Sequence, residues 1–163
     1  GYSVSLSSDG TIVAIGAPYN HGNGTYSGHV RVYQYDVNKT TSITDQSSID
    51  FGPVGWRRLG QDIDGEAAND QSGSSVSLSS DGTIVAIGAI GNDGNGVNSG
   101  HVRVYQYNGT VWTKIGEDIN GEAANDQSGY SVSLSSDGTI VAIGVYLNDV
   151  RVYKLTTYSE PAP

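Results

Sequence analysis

Hydrophobic positions along the chain fall in short runs bounded by Gly, Asn, Asp and Ser, and nowhere settle into the spacing of an amphipathic helix. Residues Tyr130–Ser135 alternate, with Val132 and Leu134 on one face and small serines on the other, which predicts a strand. Ser136–Thr139 reads as a tight hairpin in which Asp137-Gly138 supplies the positive φ angles of a two-residue turn. Ile140–Val145 then runs almost continuously apolar, so the second strand is expected to be covered on both faces. His101–Tyr107 sets Val102 and Val104 against Arg103, Tyr105 and Tyr107, a half-buried third strand. Asn108-Gly109 signals another hairpin, leading into a fourth strand over Val111–Ile119 that carries Trp112 and Ile115.

This pattern recurs. VSLSSDGTIVAIG appears unchanged at Val4–Gly16, Val76–Gly88 and Val132–Gly144, and RVY follows at Arg31–Tyr33, Arg103–Tyr105 and Arg151–Tyr153. A third block, DI(D/N)GEAANDQSG, occupies Asp62–Gly73 and Asp118–Gly129. The period is 56 residues between the second and third copies and 72 between the first and second, the 16 additional residues falling between Tyr35 and Trp56. The chain therefore divides into a unit over 1–72 with the 16-residue insertion within 36–55, a unit over 73–128, a truncated unit over 129–155 and a tail over 156–163. Four antiparallel strands per unit describe an all-β propeller blade. A β-sandwich or parallel β-helix also uses short strands, but near-identical consecutive units suit blades, which all occupy the same environment.

Composition agrees: Gly contributes 23 residues and Tyr 11, and almost no helix is expected. The formal charge of −9 argues against nucleic acid and anionic membrane surfaces as partners, and no apolar run is long enough to span a bilayer. Without cysteine there is neither a disulfide nor a thiolate metal site. The chain opens on Gly1-Tyr2-Ser3, inside its own repeat and without Met, so 1–163 is expected to be a fragment. Three units fall short of the four to eight blades of a closed propeller, and either upstream blades or edge-to-edge assembly of chains is expected to supply the rest.

Gly1-Tyr2 and Gly129-Tyr130 before the first strand, the Asp-Gly turn, and Ile15-Gly16-Ala17-Pro18 followed by Gly28-His29-Val30-Arg31-Val32-Tyr33 resemble an FG-GAP repeat. That repeat is the blade unit of integrin α-subunit propellers and of many secreted propellers, and the whole run is also similar to repeat-rich secreted proteins of marine microbes. The resemblance implies an extracellular or cell-surface propeller. Many such blades carry a calcium loop, Asp-x-Asp-x-Asp-Gly, between the first two strands. Here Asp9, Asp81 or Asp137 is the only carboxylate at that position, so the family's calcium site does not carry over.

Other candidates come from the residues themselves. Asp62, Asp64 and Glu66, with Asp118, Asn120 and Glu122, alternate oxygen ligands around a Gly bend and form a possible calcium site, set against a solvated turn between blades. The loops His21–Gly28 and Gly91–Gly100 lack the Lys and following helix of a phosphate loop. Asn92, Asp93 and Asn95 offer hydrogen bonds to sugar hydroxyls instead, while Trp56 and Trp112 read as blade packing, with sugar stacking as the alternative. His29 and His101 repeat before the third strand and read as structural. Asn23, Asn38 and Asn108 head glycosylation sequons, Asn38 being the most accessible because it lies in the insertion. No nucleophile elbow is present and nearly every polar group is duplicated, so no catalytic residue is assigned. Two functions fit: an adhesion or recognition module binding protein or glycan through blade loops, or a subunit of a surface filament, sheath or appendage in which like blades assemble. The unchanged repeats favour the second and the insertion the first.

Overall fold

The computed structural model describes residues 1–48, 50–146 and 149–155, and the expected tail at 156–163 lies outside them. Twelve strands form three antiparallel sheets, with no helix among the described residues. The first sheet holds β1 (Ser3–Leu6), β2 (Ile12–Ala17), β3 (His29–Tyr35), β4 (Trp56–Arg58) and β5 (Ile63–Asp64); the second holds β6 (Ser72–Leu78), β7 (Ile84–Ala89), β8 (His101–Tyr107) and β9 (Trp112–Asn120); the third holds β10 (Ser131–Leu134), β11 (Ile140–Gly144) and β12 (Val150–Lys154). β4 and β5 share the edge of β3 that β9 takes alone on β8, Tyr35 facing Trp56 as Tyr107 faces Trp112. The sheets fit blades of a propeller in series, and the described residues form no closed ring.

The hairpin joining the first two strands differs from the two-residue turn expected. Five residues, Ser7–Thr11, separate β1 from β2, and only the glycine adopts positive φ: 71° at Gly10, 72° at Gly82 and 69° at Gly138. The aspartate serves instead as an acceptor hub. Asp9 Oδ1 accepts the Ser7 hydroxyl at 2.7 Å and the Thr11 N–H at 3.0 Å, while Ser7 Oγ accepts the Ile12 N–H at 2.9 Å. Asp81 and Asp137 repeat the arrangement. In this turn Oδ1 of the carboxylate is engaged by the protein's own donors. The Asn108 hairpin is likewise wider than its dipeptide implied, with Asn108–Val111 lying between β8 and β9.

Each blade has two unlike faces, and the core lies between blades. Ile12, Ala14, Val30, Val32 and Ile63, on the back of the first sheet, pack against Val76, Leu78, Val85, Ile87 and Trp112 on the front of the second. Ile84, Ala86, Val102 and Val104, on the back of the second, receive Val141 and Ile143 of the third, with Val132, Leu134 and Tyr153 around them. The serines between these apolar positions stitch neighbours together. Ser3 Oγ donates to Gly73 O at 2.8 Å and Ser75 Oγ to Gly129 O at 2.7 Å. The N–H groups of Leu78 and Leu134 donate to Ser5 Oγ and Ser77 Oγ at 3.0 and 2.9 Å. Glycine is needed where the backbones meet, because a Cβ on Gly16 or Gly88 would strike the carbonyl oxygen of Gly73 or Gly129. The expectation that the second strand is covered on both faces holds for β7, which is buried throughout, while β2 and β11 have a neighbour on one side only.

Candidate functional site

The loops from β2 to β3 and from β7 to β8 emerge beside the segments that lead from one sheet to the next, and the contact is built from repeated asparagines. Asn23 Nδ2 donates to Gly65 O and Glu66 O at 2.9 and 3.0 Å, and Asn95 Nδ2 makes the same pair to Gly121 O and Glu122 O. Asn92 is buried; its Oδ1 accepts the Gly94 N–H at 2.9 Å and its Nδ2 donates to Asp70 at 3.3 Å. These amides hold the loops to the scaffold. Of the three loop residues expected to meet a ligand, Asp93 and Asn95 are exposed, but the Asn95 amide is taken up as above and the Asp93 carboxylate accepts the Asn98 N–H at 2.7 Å. The Asn23 sequon nitrogen is taken up in the clamp just described, whereas Asn38 is exposed, beside a buried Lys39 that ties the insertion to Gly52 O and Trp56 O at 2.8 Å. Asn108 caps its turn through Oδ1, which accepts the N–H groups of Thr110 and Val111.

Trp112 is buried, donates its indole N–H to Leu59 O at 2.7 Å and leaves no ring face open to a sugar. Trp56 is half-buried against Tyr35, their ring centroids 5.7 Å apart.

The acidic candidates do not converge as one set. Asp62 and Asp64 meet His29, while Glu66 reaches across to His101 and Asp118; in each trio one ligand atom per residue lies within 4.8 Å of the others. A guanidinium sits in both groups. Arg31 Nε and Nη2 donate to Asp62 at 3.0 and 2.8 Å and Arg58 adds a bond at 3.2 Å. Arg103 holds Asp118 at 2.8 Å and also contacts Glu66 of the preceding blade, while Glu122 pairs with Arg151 at 3.4 Å. Burial pushes the Asp62 and Asp118 carboxyls up, but bonds and charge from Arg31, and from Arg103 and Lys114, outweigh it and hold both below the usual range. Burial is also the main reason that His29 and His101 lie below the ordinary imidazole value. Two carboxylates, an imidazole and a bound cationic side chain are a poor match to the six or more oxygens calcium prefers.

Comparing positions across the blades also brings out exposed aromatic residues outside the unchanged blocks. Tyr2 and Tyr19 lie 6.0 Å apart edge to face, Tyr19 and Tyr26 5.8 Å, and His21 sits 5.0 Å from Tyr26; all four are exposed. Tyr130 and Tyr146, also exposed, pair at 5.1 Å on the third sheet. The second sheet carries Ser74, Gly91 and Asn98 where the first has Tyr2, Tyr19 and Tyr26. The signal was available in the sequence as departure from the repeat, visible only by reading down its columns.

Residues 63–105 match the family model of the FG-GAP repeat, which here spans β5, the loop after it, β6, β7 and most of β8. No curated protein matches the chain. Most of the matched stretch lies in the unit with a sheet packed on each side, and its strands are duplicated before and after it, so the match supports an FG-GAP-type repeat protein.

Proposed function

We propose that this chain is a non-catalytic extracellular module that recognises protein or carbohydrate through the loops at one end of its blades. The tyrosine-rich rim carries the reading. Tyr19 and Tyr26 depart from the repeat, stand exposed beside Tyr2, and the three rings brace one another, while tyrosine gives a large amphipathic contact at little conformational entropy cost. The FG-GAP repeat, familiar from integrin α-subunits and secreted propellers, supports a cell-surface setting. No helix among the described residues is long and apolar enough to cross a membrane. A glycan array followed by titration tests the proposal: Tyr19→Ala with Tyr26→Ala should weaken the best ligand at least about tenfold, the loss of one good aromatic anchor. A ligand that binds both forms equally, or a blank array together with no cell-surface protein captured, defeats it.

A second reading, the structural subunit of a filament, sheath or appendage built blade to blade, is favoured by one observation. Unchanged repeats make the same front-to-back contact between neighbouring sheets twice.

A further inference from the structure

We propose that Asn108 is a site of spontaneous covalent modification in the folded chain, where the side-chain amide is lost through a succinimide and the turn between β8 and β9 gains a carboxylate. This goes beyond ligand recognition, since the turn lies at the end of the blade opposite the loops that carry Tyr19 and Tyr26.

The chemistry favours an asparagine followed by glycine, because a residue without a side chain lets its backbone nitrogen reach the asparagine Cγ most easily. Four such pairs occur: Asn23-Gly24, Asn95-Gly96, Asn108-Gly109 and Asn120-Gly121. The dipeptide alone does not rank them. In the reaction the glycine N–H passes its proton to hydroxide and its nitrogen bonds Cγ. The Cγ–Nδ2 bond breaks as Nδ2 takes a proton from water and leaves as ammonia. Water then opens the five-membered ring at one carbonyl or the other, leaving an aspartyl or an isoaspartyl link.

Attack therefore needs a glycine N–H that is not hydrogen-bonded, an amide nitrogen able to leave, and room around the glycine. Three of the pairs lack these. The N–H groups of Gly24 and Gly96 donate to His21 O and Asp93 O at 3.4 and 3.1 Å, and that of the buried Gly121 to Gly100 O at 2.8 Å. Nδ2 of Asn23 and of Asn95 is bonded to two carbonyl oxygens in each case. Ala68 and Ala124 stand 3.3 and 3.2 Å from where a Cβ on Gly24 or Gly96 would lie, and Ser99 O is closer still at Gly121.

Asn108-Gly109 meets every condition. Among the described residues neither the Gly109 N–H nor Asn108 Nδ2 makes a hydrogen bond, and no atom lies within 4 Å of a Cβ placed on Gly109. Oδ1 instead accepts the N–H groups of Thr110 and Val111, both at 3.0 Å. As nitrogen adds to Cγ, negative charge gathers on Oδ1, so both donors already face the atom where it develops. The bonds that shape the turn also activate its amide. An aspartyl product keeps both of them. An isoaspartyl product adds a carbon to the main chain in the turn that leads to Trp112, whose N–H and carbonyl are held by Gln61 of the preceding blade at 3.0 and 2.8 Å.

Peptide mapping of the chain, made without glycans and aged at neutral pH, tests the proposal. Trypsin cutting after Arg103 and Lys114 leaves Asn108 as the only asparagine of its peptide, and fragmentation separates it from Gln106. In urea all four pairs should convert at similar rates. In the folded chain Asn108 should keep that rate while Asn23, Asn95 and Asn120 fall at least about tenfold behind it. Conversion of any of these three ahead of Asn108, or an Asn108 slowed by folding as much as they are, overturns the proposal. Neither result bears on ligand binding at the tyrosine rim.

Discussion

The first and second sheets carry the segment VSLSSDGTIVAIG without a change, and the structure treats it in two ways. Val76 and Leu78 are 8% and 7% exposed, whereas Val4 and Leu6 of the same segment stand largely in solvent. Nothing local separates them: both strands pair with the next in the same register, Leu6 facing Val13 as Leu78 faces Val85. The difference is a neighbour. The second sheet has another on each side, the first on one side only, so in this protein burial belongs to the stacking of units rather than to the unit.

The most direct way to break the comparison is to truncate the same leucine twice. Leu78→Ala leaves a cavity between two sheets and should cost about 2–4 kcal/mol, while Leu6→Ala at monomeric dilution should stay within about 0.5 kcal/mol. Urea unfolding of both variants measures this. Equal losses would mean that Leu6 is covered even at dilution.

A smaller effect separates what a turn does alone from what its neighbours do. The Ser135 hydroxyl, with the Thr139 N–H and hydroxyl, holds the exposed Asp137 carboxyl at about 2, against an ordinary 3.8. Asp9 and Asp81 are lowered as well, with the same Ser and Thr partners, although burial opposes the shift most strongly at Asp81. A depressed carboxyl contributes stability that is present above about pH 4 and drains as pH falls through about 2. The histidines obey the neighbours instead: burial lowers His29 and His101, which favours the neutral ring, so their contribution is complete above the ordinary 6.5 and is lost as pH drops below it. Carbon-detected NMR titration should therefore show all three turn aspartates titrating below the ordinary value, while the melting temperature already declines between pH 7 and 5. Asp137 titrating near 4 would mean that the serine and threonine bonds do not persist in solution.

Much of the blade was legible because it is local. Alternation placed β8 at His101–Tyr107, and the repeat placed its equivalents. The third sheet's three strands follow from the same register. Turn geometry was less legible, since Asp-Gly suggests a two-residue hairpin and only the side-chain bonds of Ser7 and Asp9 show why five residues fit better. The acidic loops were misleading for a longer-range reason. Spacing along the chain set Asp62, Asp64 and Glu66 together, but strand pairing turns Asp62 and Asp64 toward His29 while Glu66 crosses to the next blade. Their arginine partners arrive from the RVY blocks of β3 and β8, outside the acidic loops themselves. The tyrosine rim was missed because a repeat invites attention to what is constant.

The smallest expected effect is none. In both sheets the acidic group already holds a cation: Asp62 accepts from Arg31 and Arg58, and Asp118 from Arg103 and from Lys114 at 2.6 Å. Calcium would have to displace a guanidinium bound through two nitrogens, and would recover fewer oxygens than it prefers. Chelator, or millimolar calcium added after it, should therefore leave the melting midpoint of the chain where it was. A rise on calcium that chelator reverses would place an ion at one of these trios. Arg31→Gln and Arg103→Gln would then show which, because removing the guanidinium should tighten calcium in the sheet that holds it and leave the other unchanged.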